Sequence, residues 1–225
     1  MSDWRENRIA AAQRGENPMV MVELSSGFAC IGDTQFLEGY CVLLPKREVS
    51  SLNDLTLAER SQFLTDMVQI AIVIALYVII TVVLGPLGSG AVQFRLSELF
   101  NFLAFYNRKY IWAVTIGCMI SNYMVFGIVD VIVGGLSTLV FVSLGVYLFK
   151  KYLNEEVLKG LTNKAFIYFA IFFSLSMVTI AAELAIMFQV PFFFTWLTSG
   201  LGELLSLLVG AVIISQVSKR IDLTK

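Results

Sequence analysis

The stretch MVQIAIVIALYVIITVVL, residues 67–84, runs for 18 residues without a charged side chain. A helix that crosses the hydrocarbon core of a bilayer needs about 20 predominantly apolar residues, so this stretch predicts a transmembrane helix. The whole chain has the same character, because 57% of its 225 residues are hydrophobic and 15% are charged, against about 45–50% and about 25% in soluble domains. We therefore expect a membrane protein rather than a soluble globule or a disordered chain.

Five more apolar segments follow, so the chain is predicted to be an all-α membrane protein with a bundle of six transmembrane helices. These segments cover residues 91–106, 110–126, 127–149, 165–190 and 192–217. Lys and Arg residues follow the second, fourth and sixth segments, whereas the connections after the first, third and fifth contain none. Since positively charged loops stay on the cytoplasmic side, we predict a multi-pass protein with both termini in the cytoplasm.

The part of the chain before this bundle, residues 1–66, is polar and carries 6 Lys and Arg residues against 10 Asp and Glu residues. A helix is predicted to begin near Leu55, with Asn53 or Asp54 as its cap. Short apolar runs between turn residues predict three strands, at 19–23, 27–31 and 40–44. The chain is therefore divided into a small N-terminal α+β cytoplasmic segment, residues 1–66, and a transmembrane substrate-binding domain, residues 67–225.

The residue types that are missing exclude most enzymatic chemistry. The chain has no His, which excludes Ser-His-Asp triads, Cys-His pairs and His-ligated zinc. Its three Cys residues, Cys30, Cys41 and Cys118, form no C-x-x-C pair, and no G-x-x-x-x-G-K-[ST] nucleotide-binding loop occurs in the sequence. We therefore expect no enzyme activity, no metal and no cofactor. Active transport would take its energy from partner subunits or from an ion gradient.

Five charged residues fall inside the predicted spans: Arg95, Glu98, Asp130, Glu183 and Glu203. Charges within a membrane are costly and mark functional sites by default. Four acids with one base need protonation, a bound cation or a ligand rich in N–H donors. Two alternatives stay open: the outer acids reach water, or the Arg and Glu of the second span form a structural ion pair at i, i+3.

Uncharged polar and aromatic residues extend this set. Gln93, Ser97 and Asn101 recur at i, i+4 and i+8 on one helical face, and Asn122 lies near the outer end of the third span. Together with the acids they predict a polar cavity that opens outward. Trp196 is predicted to stack on a planar ligand; the alternative is an aromatic belt at the membrane interface.

Small residues predict close helix contacts. Ala71 and Ala75 lie four residues apart on the first span, and such spacing lets the backbones of two helices approach within a membrane. The pair serves either internal packing or docking of another membrane subunit.

Three motifs together resemble the QueT family over residues 69–218: GAVQFRLSE (90–98), VDVIVGGLSTL (129–139) and PFFFTWLTSGLGEL (191–204). Members of that family are membrane substrate-binding (S) components of energy-coupling-factor transporters, implicated in the uptake of queuosine precursors. The resemblance implies a six-helix fold in the bacterial plasma membrane and docking through an A-x-x-x-A face, here Ala71 and Ala75. It also implies a transmembrane coupling subunit and two ATPase subunits as partners.

A 7-deazaguanine ligand fits the excess of acids. Its N1–H and exocyclic amine are adjacent donors that a carboxylate accepts as a bidentate pair, and an aminomethyl substituent would use a second acid. The candidate acids are Glu98, Glu183 and Glu203, with Asp130 behind them. Gln93 and Asn122 are expected to bind the ring edge, and Arg95 to orient Glu98 or to bind the ring oxygen.

Residues 27–67 resemble the opening half of a HIT-family nucleotide hydrolase or transferase, most clearly over 36–55. That family's H-x-H-x-H motif is absent, and where its Pro-Lys-Arg-His pattern is expected the chain has Pro45, Lys46, Arg47 and Glu48. The resemblance therefore implies a truncated, non-catalytic piece.

Four other functions are alternatives to an S component for a queuosine precursor. A standalone ion-coupled transporter for a small aromatic or cationic solute would need acids in the inner halves of the spans, which are nearly all apolar. An S component for a different vitamin fits the same topology. A membrane enzyme or assembly factor with paired acids lacks metal-ligand spacing, and a nucleotide hydrolase lacks its histidines.

Overall fold

A computed structural model of the chain describes residues 4–34, 40–85, 94–125 and 127–224. It divides into two compact units, Met1–Ile72 and Val73–Lys225. The boundary lies inside one long helix, close to the change of composition after residue 66. The roles assigned to the two parts of the chain stay predictions.

The first unit contains a short helix and a three-stranded antiparallel sheet. Helix α1 is Arg8–Gln13, and the strands are β1 Val20–Glu23, β2 Gly27–Ile31 and β3 Cys41–Pro45, in the order β1-β2-β3. The predicted strands are confirmed to within one residue. Their shared core consists of Ala12, Phe28 and Cys30, surrounded by Met19, Val20, Val42 and Leu44.

The long helix α2, Leu57–Val83, begins two residues later than predicted and with a different cap. The backbone N–H of Glu59 donates to the Thr56 hydroxyl at 3.3 Å, and the Thr56 N–H donates to the Glu59 carboxylate at 2.8 Å. This reciprocal pair is a capping box, so the predicted caps Asn53 and Asp54 are wrong. Asp54 instead accepts from the N–H of Ser51 at 2.9 Å, in the preceding 3-10 turn.

The second unit begins within α2 and consists of a series of apolar helices. A 3-10 helix, Leu96–Phe105, is followed by α3 Lys109–Val125 and α4 Ile128–Phe149. A two-stranded hairpin of Glu156–Val157 and Thr162–Asn163 connects α4 to the last helices. These are α5 Lys164–Leu175, α6 Val178–Phe188 and α7 Phe192–Ser218.

The helical membrane fold is confirmed, and the number of spans stays a prediction. In the described part of the chain, four segments are long and apolar enough to cross a membrane: Leu57–Val83, Ile128–Tyr152, Lys164–Phe188 and Phe192–Ser218. The predicted second span is described from residue 94 onward and forms the 3-10 helix. At about 2.0 Å per residue its ten residues reach about 20 Å, less than the roughly 30 Å of a hydrocarbon core. Helix α3 has 17 residues.

The predicted fifth span is two helices rather than one. Between α5 and α6, the hydroxyl of Ser176 donates to the Phe173 carbonyl at 2.7 Å, and that of Ser174 donates to the Ile171 carbonyl at 2.8 Å. Serine hydroxyls that bond back to the preceding turn compete with the helical ladder and bend helices. Helix α6 ends with Gln189 in the left-handed conformation, φ 56°, a common helix stop.

Two contacts fix the 3-10 helix in the bundle. Phe102 and Phe105 pack against Phe166 and Phe169 of α5, with ring centroids 4.4 to 5.5 Å apart. On the other side the 3-10 helix lies against Gly210 of α7, where an added Cβ would come within 2.6 Å of a Leu99 carbon. This glycine permits the close approach of the two elements that carry Glu98 and Glu203.

Candidate functional site

Four acids lie buried in the second unit, on four different helices. Glu98 is on the 3-10 helix, Asp130 is in the first turn of α4, Glu183 is on α6 and Glu203 is on α7, and each is at most 8% exposed. A buried carboxylate is costly unless it is paired or hydrogen-bonded. The burial favours the interpretation that these acids face the protein interior over the alternative that they reach water.

Glu98 has partners on both carboxylate oxygens. The hydroxyl of Tyr77 donates to Oε1 at 2.6 Å, and the side-chain amide of Asn101 donates to Oε2 at 2.6 Å. Tyr77 comes from α2 and is 1% exposed. Tyr77 is not among the residues that the sequence pattern singles out. The signal that could have found it is a single phenol within an otherwise apolar run, because a buried Tyr hydroxyl usually has a hydrogen-bond partner.

Arg95 is the cation that acts on these acids. Its guanidinium interacts electrostatically with the carboxylates of Glu98, Glu183 and Glu203, and its backbone N–H donates to the Ser206 hydroxyl at 2.9 Å. The hydrogen bond to Ser206 ties the start of the 3-10 helix to α7. Arg95 also lines a cavity of about 10 Å³, space for about one water molecule.

Three acceptor atoms of this region are buried with no hydrogen-bond partner among the described residues: Asn101 Oδ1, Glu183 Oε2 and Glu203 Oε1. Leaving a buried acceptor unsatisfied costs about 1–3 kcal/mol, so such atoms in a native protein need an explanation. All three accept and none donates when the acids are ionised. The site is therefore suited to a ligand that brings N–H donors.

Asp130 and Glu183 form a second acidic group. Their carboxyl groups act on each other electrostatically, and two like charges buried side by side repel each other. The hydroxyls of Ser137 and Thr179 lie 2.8 Å apart and join the same two helices, α4 and α6. The structure thus brings together the sequence-predicted acids as two groups, with Arg95 acting on both.

Asn122 holds two helices together through its amide nitrogen. This nitrogen donates to the backbone carbonyl of Asp130 at 3.0 Å and lies 3.5 Å from the sulfur of Cys118. An added Cβ at Gly134 would overlap the same nitrogen, so the glycine makes room for it. The amide nitrogen of Asn122 thus has partners inside the protein. The predicted contact between Asn122 and the edge of a ligand ring stays a prediction, and it would be made by the side-chain carbonyl.

The remaining predicted binding residues lie elsewhere. Gln93 falls outside the described residues. The indole N–H of Trp196 donates to the Leu175 carbonyl at 3.1 Å, and the ring lies 6.2 Å from that of Phe192. Trp196 lines an apolar groove of about 520 Å³ between α5 and α7, and no acid is among its lining residues. The structure does not bring Trp196 into the acidic group.

The predicted docking pair lies on the exposed side of α2. Ala71 and Ala75 are both exposed, as are Leu76 and Ile79 of the same helix. The most apolar 18-residue window of α2 is 17% buried, against 33 to 50% in the other three long segments. Helix α2 is therefore the long helix with the most uncovered apolar surface in the described part of the chain.

Among the described residues, no group of three or more His, Cys, Asp or Glu side chains could hold a metal ion. The charged site is thus a set of carboxylates around one guanidinium, without a metal-ligand cluster in the part of the chain that the structure covers.

Comparisons with known proteins agree on one family. The family model described as "QueT transporter" matches residues 67–219. A curated relative, "Queuosine precursor transporter QueT" of Lactococcus lactis subsp. cremoris (strain MG1363), is 57% identical over 162 residues, which are 71% of this chain and 96% of the relative. No solved structure matches the chain significantly.

Proposed function

Since this chain belongs to the QueT transporter family, we propose that it is the substrate-binding (S) component of an energy-coupling-factor transporter that imports a queuosine precursor of the 7-deazaguanine type. The family resemblance seen in the three sequence motifs is confirmed. The protein is a transporter and not an enzyme. It is a multi-pass membrane protein, and the distribution of Lys and Arg supports a bacterial plasma-membrane orientation with both termini in the cytoplasm.

The observation that carries the substrate assignment is the set of unsatisfied buried acceptors. A 7-deazaguanine presents N1–H and an exocyclic amine side by side, and a carboxylate accepts such a pair in bidentate fashion. Glu203 has a buried oxygen without a partner, and so does the amide of Asn101. Because both oxygens of Glu98 are occupied by Tyr77 and Asn101, Glu203 is the first candidate for the bidentate contact, and Glu98 supports it.

The second acidic group suits a cationic substituent. An aminomethyl group on the ring is protonated at neutral pH and offers several N–H donors. Glu183 has an unpartnered buried oxygen and a neighbouring acid, Asp130. Arg95 would bind the ring oxygen or hold the acids in place. These assignments rest on the chemistry of the donor and acceptor sets.

The transport energy would come from partner subunits. The sequence contains no nucleotide-binding loop of the P-loop type. The exposed Ala71 and Ala75 on α2 are the proposed contact with a transmembrane coupling subunit, which itself binds two ATPase subunits. Small residues at this spacing allow close backbone approach in a bilayer.

A standalone ion-coupled carrier is the second candidate. The neighbouring buried carboxyl groups of Asp130 and Glu183 favour it, because acids inside a membrane are typical of proton relays. The nearly apolar inner halves of the spans oppose it, since a proton path needs polar groups across the membrane. An S component for a different vitamin differs from the main proposal in the ligand alone.

A selectivity titration tests the proposal. The purified full-length chain in detergent is titrated with 7-cyano- and 7-aminomethyl-7-deazaguanine, guanine, thiamine and biotin. We expect the 7-deazaguanines to bind in the absence of partner subunits and at least about tenfold tighter than thiamine or biotin, since a site built around ligand donors rejects ligands that lack them. Guanine, which shares the N1–H and the exocyclic amine, is expected to fall between the two groups. Binding of thiamine or biotin instead, or of no compound by a folded sample, would contradict the substrate assignment.

A further inference from the structure

Two side-chain hydrogen bonds join α2 to the 3-10 helix. The hydroxyl of Tyr77 donates to Glu98 at 2.6 Å, and the hydroxyls of Thr81 and Ser97 lie 2.7 Å apart. Tyr77 and Thr81 are four residues apart and share a face of α2, while Ser97 and Glu98 are adjacent. The Tyr77 bond reaches Glu98, which is an ionisable residue of the candidate site. The Thr81 bond joins two neutral hydroxyls between the same two helices.

The ring of Tyr77 is held rigidly. It is 1% exposed, and its centroid lies 6.4 Å from that of Phe100. On the opposite helix, a Cβ added to Gly117 would come within 3.0 Å of the Tyr77 Cβ and Cγ atoms, so this glycine lets the ring lie against α3. A fixed ring delivers the hydroxyl to one place, and a phenol-to-carboxylate bond is among the strong hydrogen bonds of proteins.

The bond from Tyr77 has a consequence for Asn101. Tyr77 occupies one oxygen of Glu98, and the amide nitrogen of Asn101 occupies the other. With its nitrogen fixed on the carboxylate, the Asn101 side chain has its Oδ1 buried and without a partner among the described residues. The hydroxyl of Tyr77 fixes the orientation of the Glu98 carboxylate. Since Asn101 donates to that carboxylate, the direction of Asn101 Oδ1 depends on it.

We propose that Tyr77 is a positioning residue of the substrate site: through Glu98 it orients Asn101 so that Asn101 Oδ1 accepts an N–H group of the ligand. The inference rests on the proposed function and adds a residue of α2 to the site.

The test compares two hydroxyl deletions on one helix. Tyr77→Phe removes the bond to Glu98 and keeps the ring, whereas Thr81→Val removes the neighbouring bond to Ser97 and leaves Glu98 untouched. Full-length proteins are titrated calorimetrically with 7-aminomethyl-7-deazaguanine, and their thermal unfolding is recorded. We expect Tyr77→Phe to bind about tenfold more weakly, in line with the loss of a hydrogen bond to a charged group, and Thr81→Val to bind within about twofold of the unsubstituted chain.

The background of Glu98→Gln separates positioning from general stability. If Tyr77 acts through Glu98, then adding Tyr77→Phe to Glu98→Gln weakens binding little further, because interacting residues are non-additive. A second variant, Asn101→Leu, removes the acceptor itself and is expected to lose affinity by a similar factor. It keeps the inference testable should Tyr77→Phe fail to fold.

Different results overturn different statements. Unchanged affinity in Tyr77→Phe or in Asn101→Leu overturns the positioning role, as does an equal loss in Thr81→Val or full additivity with Glu98→Gln. In these cases the unsubstituted chain still binds the probe, and the proposed function stands. A folded, unsubstituted chain that binds no 7-deazaguanine overturns the proposed function, and the positioning role with it.

Discussion

The two units of the chain differ in how many described carboxyl groups they bury: one in the first unit, Asp66, and four in the second. In the first unit, carboxylates lie at the surface beside a base: Asp33 with Arg8, and Glu23 with Lys46. In the second unit, four acids are buried, and Arg95 acts electrostatically on three of them, Glu98, Glu183 and Glu203. Exposed ion pairs contribute about 0–1 kcal/mol each, whereas a buried charge without compensation is costly.

This difference distinguishes surface charges, which keep a protein soluble, from buried charges, which are retained because they have a function. The ion pairs of the first unit lie at the surface, and its buried carboxylate, Asp66, accepts hydrogen bonds from Ser25, Ser26 and Gln62. The second unit has three buried acceptors with no partner among the described residues. A chain that only had to span a bilayer would be more stable with apolar residues at these places, which supports the proposal that the acids bind a ligand.

The largest expected effect comes from replacing the central cation. Arg95→Met removes the positive charge that acts on three buried acids and is expected to cost about 3 kcal/mol of unfolding free energy, the lower part of the range for breaking a buried pair. Arg8→Met, the matched change in the first unit, is expected to cost less than about 1 kcal/mol. Unfolding of both variants in detergent measures the difference, and equal costs would break the contrast between the units.

A tight backbone contact gives the next effect. Gly210→Ala would place a Cβ 2.6 Å from a Leu99 carbon and is expected to destabilise the chain by about 1–3 kcal/mol, because overpacking forces side chains and backbone apart. Among the described residues, no atom lies within 4 Å of a Cβ added to Gly85, so Gly85→Ala is the control, expected within about 0.5 kcal/mol. A tolerated Gly210→Ala would show that α7 and the 3-10 helix are not packed as described.

The start of α2 is a smaller test. Thr56→Ala removes the hydroxyl that accepts from the Glu59 N–H and is expected to lower stability by about 1 kcal/mol, a typical loss for an N-cap. Asn53→Ala, at the position that the sequence favoured, is expected to change it less. Chemical denaturation of the two variants distinguishes them, and a larger effect for Asn53→Ala would restore the original prediction.

The smallest effect is a pH dependence in the first unit. A hydrogen bond from Arg8 lowers the pKa of the exposed Asp33 carboxyl below its ordinary value. A lowered pKa in the folded state contributes stability above the ordinary carboxyl pKa and loses it as the pH falls through the folded value. Asp33→Asn should therefore weaken the acid dependence of unfolding below about pH 4. An identical acid profile in both proteins would argue against the Arg8 contact.

The sequence predicts the outline of this molecule well and its interior less well. Charge-free apolar runs located the helices to within a few residues in most cases, and the acids stood out because they interrupt those runs. The three strands followed from apolar segments between turn residues. Each of these signals is local, so each is visible without knowing what the segment packs against.

Features that depend on contacts between distant parts of the chain could not be predicted from the sequence. The 3-10 form of Leu96–Phe105 and the break at Ser176 arise from packing and from serine hydroxyls competing with the helical ladder, for which an apolar run gives no warning. Tyr77 was missed because it lies 21 residues from Glu98 in sequence. Trp196 was expected near the acids, two turns along from Glu203, yet its indole N–H is used by α5.

The central claim, that the buried acids recognise the ligand, is tested most directly by a matched pair of charge deletions. The affinity of the full-length chain for 7-aminomethyl-7-deazaguanine is measured for Glu203→Gln and for Glu155→Gln, whose carboxylate pairs with Lys164 at the surface. We expect Glu203→Gln to weaken binding at least about tenfold, since a charge-assisted bidentate contact is lost, and Glu155→Gln to leave it unchanged. Equal affinities in the two variants, with both proteins folded, would contradict the account.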